Sequence, residues 1–223
     1  IVVFTAHGVS DPLRVKAESK GLQILDASCP FVLQTQKLVK EQVHQNASVF
    51  YIGKKGHPEA EAVTTSHDNV WLISSEEDIP EGVEGPVFVT NQTTMSILDI
   101  QDLFEKIRAR YPDALMNDEI CNATRIRQQA ILDLKDDRPD VLIVVGDPSS
   151  NNTRQLEAIG RKAGIKQVIR IEKAADLDLS AIDPEARVAV TSGASTPAWL
   201  RQQVLDLLSS PDTSTDIRLD EIL

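Results

Sequence analysis

Six times along the chain a short β-branched or apolar run ends in a cluster of small polar residues and passes into a helical pattern. The runs are IVVFTA, LQILDA, SVFYIG, GPVFVT, DVLIVVG and ARVAVT, and the clusters after them are HGVS, SCP, KKGHPE, NQTTMS, DPSSNN and SGAST. Runs apolar at consecutive positions bury both faces of a strand. A helix after each strand lets the next strand lie parallel to it, so the repeat predicts an α/β protein with mainly parallel sheets. The stretch from Ile97 shows the helical half of the design: Ile97, Ile100, Leu103, Phe104 and Ile107 share one face, and Asp99, Asp102, Glu105, Lys106 and Arg108 lie on the other. That stripe is core.

In open parallel sheets ligands bind beyond the carboxyl ends of the strands. Here those ends carry His, Cys, Ser, Thr and Asn, and every candidate below apart from Cys29 and Cys121 is expected in such a loop. Asp11-Pro12, His57-Pro58 and Thr196-Pro197 each put proline where a first helical residue belongs, after a residue that can cap. Helix N-termini present unpaired N–H groups and a positive dipole end, so several aimed at one spot would hold a phosphate or diphosphate.

A formal net charge of −11 argues against nucleic acid and anionic membranes as partners, while leaving room for a small anionic ligand. No apolar run reaches the length of a membrane span, and the first residues lack a secretory leader pattern. A cytoplasmic protein is expected. The chain begins at Ile1 in what reads as a buried strand, from which we expect a segment upstream of this sequence. In a reducing compartment Cys29 and Cys121 are not expected to pair; two unrelated buried thiols is one reading of them. From Ser209 onward the pattern is lost, and the stretch is expected to be a mobile tail.

The chain lacks GxGxxG after a strand, a Walker A loop, C-x-x-C, a zinc-type Cys/His cluster and G-x-S-x-G. Its candidates are smaller. His7 in AHGVS fits a surface or capping role as readily as a functional one. His57 and Glu59 in GHPE pair an imidazole with a carboxylate, a combination that can bind an anion and deliver a proton; a helix start with an acid in its first turn explains them equally. Thr93 in NQTTMS offers a hydroxyl, although an N-cap box is the simpler account. Ser149, Ser150 and Asn151 place small donors in a row after a strand, which suits phosphate oxygens. Ser195 lies in SGAST, where Gly193 permits close backbone approach; an ordinary strand-to-helix turn is the alternative. His44 and His67 have no such company and are taken as surface residues.

In order, AHGVS, the ASCP segment, GHPE, QTT, the ICNAT segment with Arg127-Gln128, SSNNTR and GAST resemble the 4-hydroxy-3-methylbut-2-enyl diphosphate reductases, also called the LytB or IspH family. The likeness runs from about His7 to Pro197. Each motif is weak alone; seven in one order are specific. The resemblance implies repeated small α/β domains with mainly parallel sheets, in a pseudo-threefold arrangement around a central iron–sulfur site. Residues 1–29 would be the remainder of the first domain, 30–117 the second, 118–208 the third and 209–223 the tail. Cys29 and Cys121 would each ligate one iron of a [4Fe–4S] cluster, which in the family takes three cysteines and leaves one iron open. His7, His57, Ser149, Ser150, Asn151 and Ser195 would hold the diphosphate. Glu59 would supply protons, with Thr93 assisting near the substrate hydroxyl.

The implied reaction is a two-electron reductive dehydroxylation to isopentenyl and dimethylallyl diphosphate in the non-mevalonate isoprenoid pathway, with ferredoxin or flavodoxin as electron donor. The family's third cysteine and one further histidine lie ahead of AHGVS, so a chain of this extent is expected to hold the cluster poorly. Asp147-Pro148 is shorter than the polar insert expected before the two serines, which leaves the register of that loop open. Two other readings remain: an α/β protein that binds an anion or diphosphate without catalysis, and a thiol enzyme using Cys29 or Cys121 as nucleophile.

Overall fold

The computed structural model describes residues 1–134, 137 and 139–209. The expected tail lies outside them, apart from Ser209. In chain order the elements are β1 (Val2–Phe4), α1 (Asp11–Ser19), β2 (Ile24–Asp26), α2 (Pro30–His44), β3 (Ser48–Ile52), α3 (Pro58–Thr64), β4 (Val70–Ile73), β5 (Val87–Asn91), α4 (Ile97–Arg110), β6 (Leu115–Met116), α5 (Asn122–Asp133), β7 (Val141–Val145), α6 (Asn151–Lys162), β8 (Gln167–Ile171), β9 (Val188–Ser192) and α7 (Ala198–Ser209). The chain divides into two compact units, residues 1–121 and 122–223. The first holds the sheets β1-β2 and β4-β3-β5-β6, and the second holds β8-β7-β9. Every strand pair is parallel, as the strand–helix alternation predicts.

Alternation along the central strands builds the cores. In β3, Phe50 and Ile52 join Ile100, Leu103 and Ile107 of α4 on one face of the sheet. Val49 and Tyr51 join Val39 of α2 and Ala60 and Val63 of α3 on the other. In β7, Val141, Ile143 and Val145 face Val204 and Leu207 of α7, and Leu142 and Val144 face Ile131, Leu156 and Ile159. Both faces of each central strand are covered, which is why those runs are apolar throughout. Phe104 is partly buried against the α4 cluster.

All six apolar runs form strands, but β1 is not the buried strand its sequence suggests: only Phe4 is buried, and Ile1 and Val3 are 81 % and 54 % exposed. It pairs with β2 alone. Four elements escaped the sequence pattern. β4, β6 and β8 each pair on one side only; edge position relaxes the patterning of β8, as Gln167 and Arg170 show, and β4 and β6 are short, at four and two residues. α5 buries Thr124 and Gln128 beside Ile131, so half of its inner face is polar and its apolar period is faint.

The edge strands β4 and β8 end alike. Asp78 Oδ2 accepts the Ser74 and Ser75 N–H groups at 2.9 Å each, and Asp176 Oδ2 accepts those of Glu172 and Lys173 at 3.3 and 3.1 Å. The two larger sheets also share an order: a central strand first, then an edge strand, then the strand on the other side.

Candidate functional site

The expected residues of the first unit gather at the carboxyl ends of β1, β3 and β5. His57 caps α3, its Nδ1 accepting the Glu59 N–H at 3.2 Å, with Pro58 as the first helical residue. Its ring meets that of His7 edge to face at 5.0 Å between centroids. Burial, the His7 imidazole and the Lys54 ammonium lower the His57 pKa to about 4, so its ring is neutral at pH 7. Gly8, beside His7, has φ +72°, and a Cβ there would lie 2.6 Å from Gln36 Nε2. AHGVS therefore requires glycine at that position.

Glu59 is 1 % exposed. Its Oε1 accepts the Thr93 N–H at 2.7 Å and the Tyr51 hydroxyl at 3.4 Å, and its Oε2 accepts the Thr93 hydroxyl at 3.1 Å. Burial raises the Glu59 pKa to about 7, against the opposing pull of the Thr93 and Tyr51 hydrogen bonds. A carboxyl poised there can hold or release a proton near neutrality. Thr93 is not the cap of α4. Ser96 fills that role, accepting the Asp99 N–H at 3.4 Å, which leaves Thr93 to Glu59. Burial and the nearby Glu59 carboxylate push the Tyr51 phenol well up.

Both cysteines also stand between a strand and a helix, Cys29 in the SCP cluster that follows the second apolar run. Cys29 follows β2 and caps α2 with Pro30 as first helical residue, the signature noted at His57-Pro58. Its N–H donates to Ala6 O, beside His7, at 2.9 Å. Cys121 precedes α5, and its N–H donates to Thr93 O at 3.1 Å. Both thiols are half-buried and neither is in a disulfide. Among the described residues no three or more His, Cys, Asp or Glu side chains gather as a metal site. The two thiols have the donor chemistry of two cluster ligands and do not by themselves complete a set.

In the second unit Ser149, Ser150, Asn151 and Ser195 follow the ends of β7 and β9. Ser149 is exposed and its hydroxyl donates to Asp147 Oδ1 at 2.6 Å. Ser150 caps α6, its Oγ accepting the Thr153 N–H at 3.4 Å. Asn151 is buried at the first helical position, and Ser195 is exposed. The residue that joins the two loops is Asn152, whose Oδ1 accepts the Ala194 N–H at 2.9 Å and whose Nδ2 donates to the Thr124 hydroxyl at 3.0 Å. Among the described residues Thr153 Oγ1 is buried with no hydrogen-bond partner. A Cβ on Gly193 would lie 2.6 Å from that oxygen and 3.0 Å from Thr196 Oγ1; on Gly146 it would lie 2.7 and 2.5 Å from them. Gly193 thus permits close approach, here of two threonine side chains.

Sequence reasoning passed over Tyr51, Gln92, Asn152 and Thr153. Tyr51 is hidden in an apolar run, and the polar positions next to each motif were the available signal for the others. Of the histidines set aside, His44 is exposed and His67 is half-buried.

An α/β scaffold of parallel sheets that sets a buried carboxyl, a hydroxyl, two histidines and two thiols at its strand ends defines a small-molecule enzyme of the strand-end type. The family model described as LytB protein matches residues 1–209, and the chain belongs to that family. Relatives named 4-hydroxy-3-methylbut-2-enyl diphosphate reductase include one from Exiguobacterium sp., 46 % identical over 216 residues (95 % of this chain, 68 % of the relative). Another, from Listeria monocytogenes, is 46 % identical over 218 residues (96 % and 65 %). The chain thus spans about two thirds of the length of the curated relatives it matches. The solved E-1-hydroxy-2-methyl-but-2-enyl-4-diphosphate reductase of Plasmodium falciparum is similar with a TM-score of 0.86 at 26 % identity, over 97 % of this chain and 69 % of that one.

Proposed function

We propose that this protein is a reductase that converts 4-hydroxy-3-methylbut-2-enyl diphosphate to isopentenyl and dimethylallyl diphosphate. The supporting observation is the Glu59–Thr93 pair: a buried carboxyl with a pKa of about 7, bonded by both its oxygens to one threonine. Cys29 and Cys121 would hold two irons of a [4Fe–4S] cluster. When bound, the cluster supplies the two electrons, delivered by a small carrier such as ferredoxin or flavodoxin, and Lewis acidity toward the substrate alcohol.

The chain's own residues bind and protonate. Each unit carries its own groups that would donate to diphosphate oxygens: His7 and His57 in the first, and Ser149, Ser150, Asn151 and Ser195 in the second. Ser150 suits this, because its oxygen accepts from Thr153 and its own proton remains to donate. Neutral His57 takes up a proton as the anion arrives, which strengthens the contact. Protonation of Glu59 at Oε2 reverses its hydrogen bond with the Thr93 hydroxyl, so that Oε2 donates to Thr93 Oγ1; the Thr93 hydroxyl proton then goes to the substrate oxygen as Glu59 gives up its own. The C–O bond breaks and water leaves. A second proton forms the new C–H bond, so two electrons and two protons balance the loss of one water. Remote binding of the diphosphate holds the reacting carbon in place.

No helix among the described residues is long and apolar enough to cross a membrane, and the reading keeps the protein in the cytoplasm, where thiolates persist. The deciding experiment is Thr93→Val in the anoxically reconstituted holoenzyme. Turnover should fall about a hundredfold or more while inorganic diphosphate binding is kept. Full turnover in this variant would remove the proton path, and an iron-free, diphosphate-binding wild type would favour a non-catalytic anion-binding protein.

A further inference from the structure

Two adjacent primary amides stand at the end of β5, and both are 0 % exposed. Successive residues along an extended chain point to opposite sides, and these two reach different loops. Asn91 Oδ1 accepts the Glu119 N–H at 3.0 Å, and its Nδ2 donates to Gln92 O at 3.1 Å. Gln92 Oε1 accepts the Lys54 N–H at 3.0 Å, and its Nε2 donates to the Thr94 hydroxyl at 2.9 Å. Burying an amide side chain in a core is costly unless its polar atoms are bonded. Val87, Phe88 and Val89 begin β5, and Thr90 and Asn91 end it; packing alone does not account for either amide.

The two loops they hold are the ones that carry the chemistry. Glu119 lies two residues before Cys121, whose own N–H bonds Thr93 O at 3.1 Å. Lys54 lies three residues before His57, and the His57 N–H bonds Lys54 O at 3.1 Å. Thr93, next in sequence after Gln92, holds Glu59. We infer that Asn91 and Gln92 are positioning residues for the reaction: Asn91 sets the Cys121 segment, and Gln92 sets the His57 loop, on either side of the Thr93–Glu59 pair. The inference rests on the function proposed above.

Near-isosteric variants that cannot accept a hydrogen bond separate the two roles. In the cluster-loaded holoenzyme, Asn91→Leu should speed iron release to a chelator about tenfold and alter the electron paramagnetic spectrum, with inorganic diphosphate affinity within about twofold of wild type. Gln92→Met should weaken inorganic diphosphate binding about tenfold by calorimetry and leave iron release unchanged. Asn91→Asp and Gln92→Glu keep the accepting oxygen and, read at pH 5 where burial keeps the new acid neutral, should recover most of each loss. If either apolar variant fails to fold, Asn91→Ala and Gln92→Ala remove the same acceptor without placing a branched or sulfur-bearing side chain in the slot. The inference is overturned if both variants shift both readouts alike, if neither shifts its own, or if the conservative variants recover nothing. A wild-type holoenzyme that retains no iron and binds no diphosphate overturns the functional reading itself, and this inference with it.

Discussion

The two units place a different chemical group in the same slot. In each, the second residue of the helix after the central strand reaches across to accept the N–H two residues beyond the end of the neighbouring strand. In the first unit this is Glu59 on Thr93, at 2.7 Å; in the second it is Asn152 on Ala194, at 2.9 Å. The cap before it is His57 in one and Ser150 in the other. One brace thus serves two purposes. A carboxylate in a buried slot acquires a shifted pKa and can move protons, whereas an amide in the same slot stays neutral at every pH and only holds loops together. The fold supplies the brace, and the side chain decides whether that unit titrates.

Glu59→Gln tests the difference most strongly. It keeps an oxygen for the Thr93 N–H and removes the proton source, so turnover should drop about 10²- to 10⁴-fold. An enzyme assay at saturating substrate reads this directly, and near-normal turnover would place the proton donor elsewhere.

The same carboxyl gives the first unit a pH-dependent stability. Its pKa is 4.5 as the ordinary value and about 7 in the fold. Between those values the unfolded chain gives up a proton that the folded chain keeps, so stability falls as pH rises across that window, by about 3 kcal/mol at most. Above pH 7 this contribution is fully lost. Urea denaturation at pH 5 and pH 8 should show the slope in wild type and a flattened one in Glu59→Gln.

Gly193→Ala probes the second unit by packing instead of charge. The new methyl would lie 2.6 and 3.0 Å from Thr153 Oγ1 and Thr196 Oγ1. β-Branched side chains have little rotameric room to yield, so a loss of about 2 kcal/mol in a urea melt is expected. The smallest effect is expected from Asn152→Asp, which makes the second slot resemble the first. Burial should raise the new carboxyl's pKa. Inorganic diphosphate should then bind about tenfold more weakly at pH 8 and recover toward pH 5, where the acid is neutral. A pH-independent affinity in that variant would break the analogy between the slots.

Much of this was legible in the residues. The runs SVFYIG, GPVFVT and DVLIVVG become β3, β5 and β7, because a strand covered on both faces is apolar along most of its length. The polar clusters after them mark where side chains can gather. β8 and α5 were illegible for the converse reason: an edge strand with polar positions or a helix with a polar inner face departs from the period that a sequence displays. Exposed β1 looked buried because apolar composition is blind to which neighbours are present. Cys29-Pro30 carries the helix-start signature seen at His57-Pro58, although it was not counted among the helix starts.

By itself the sequence determined the class of fold and the order of the chemical groups along it, since strand and helix periods and helix-start prolines are local properties of the chain. The tertiary structure decided which of those groups share hydrogen bonds: that Thr93 serves Glu59 instead of capping α4, that Asn152 braces the loop of Ser195, and that two buried amides hold the loops of Cys121 and His57. Those pairings join residues dozens of positions apart. Their partners, and the desolvation that raises the Glu59 pKa, exist only once the strands are side by side.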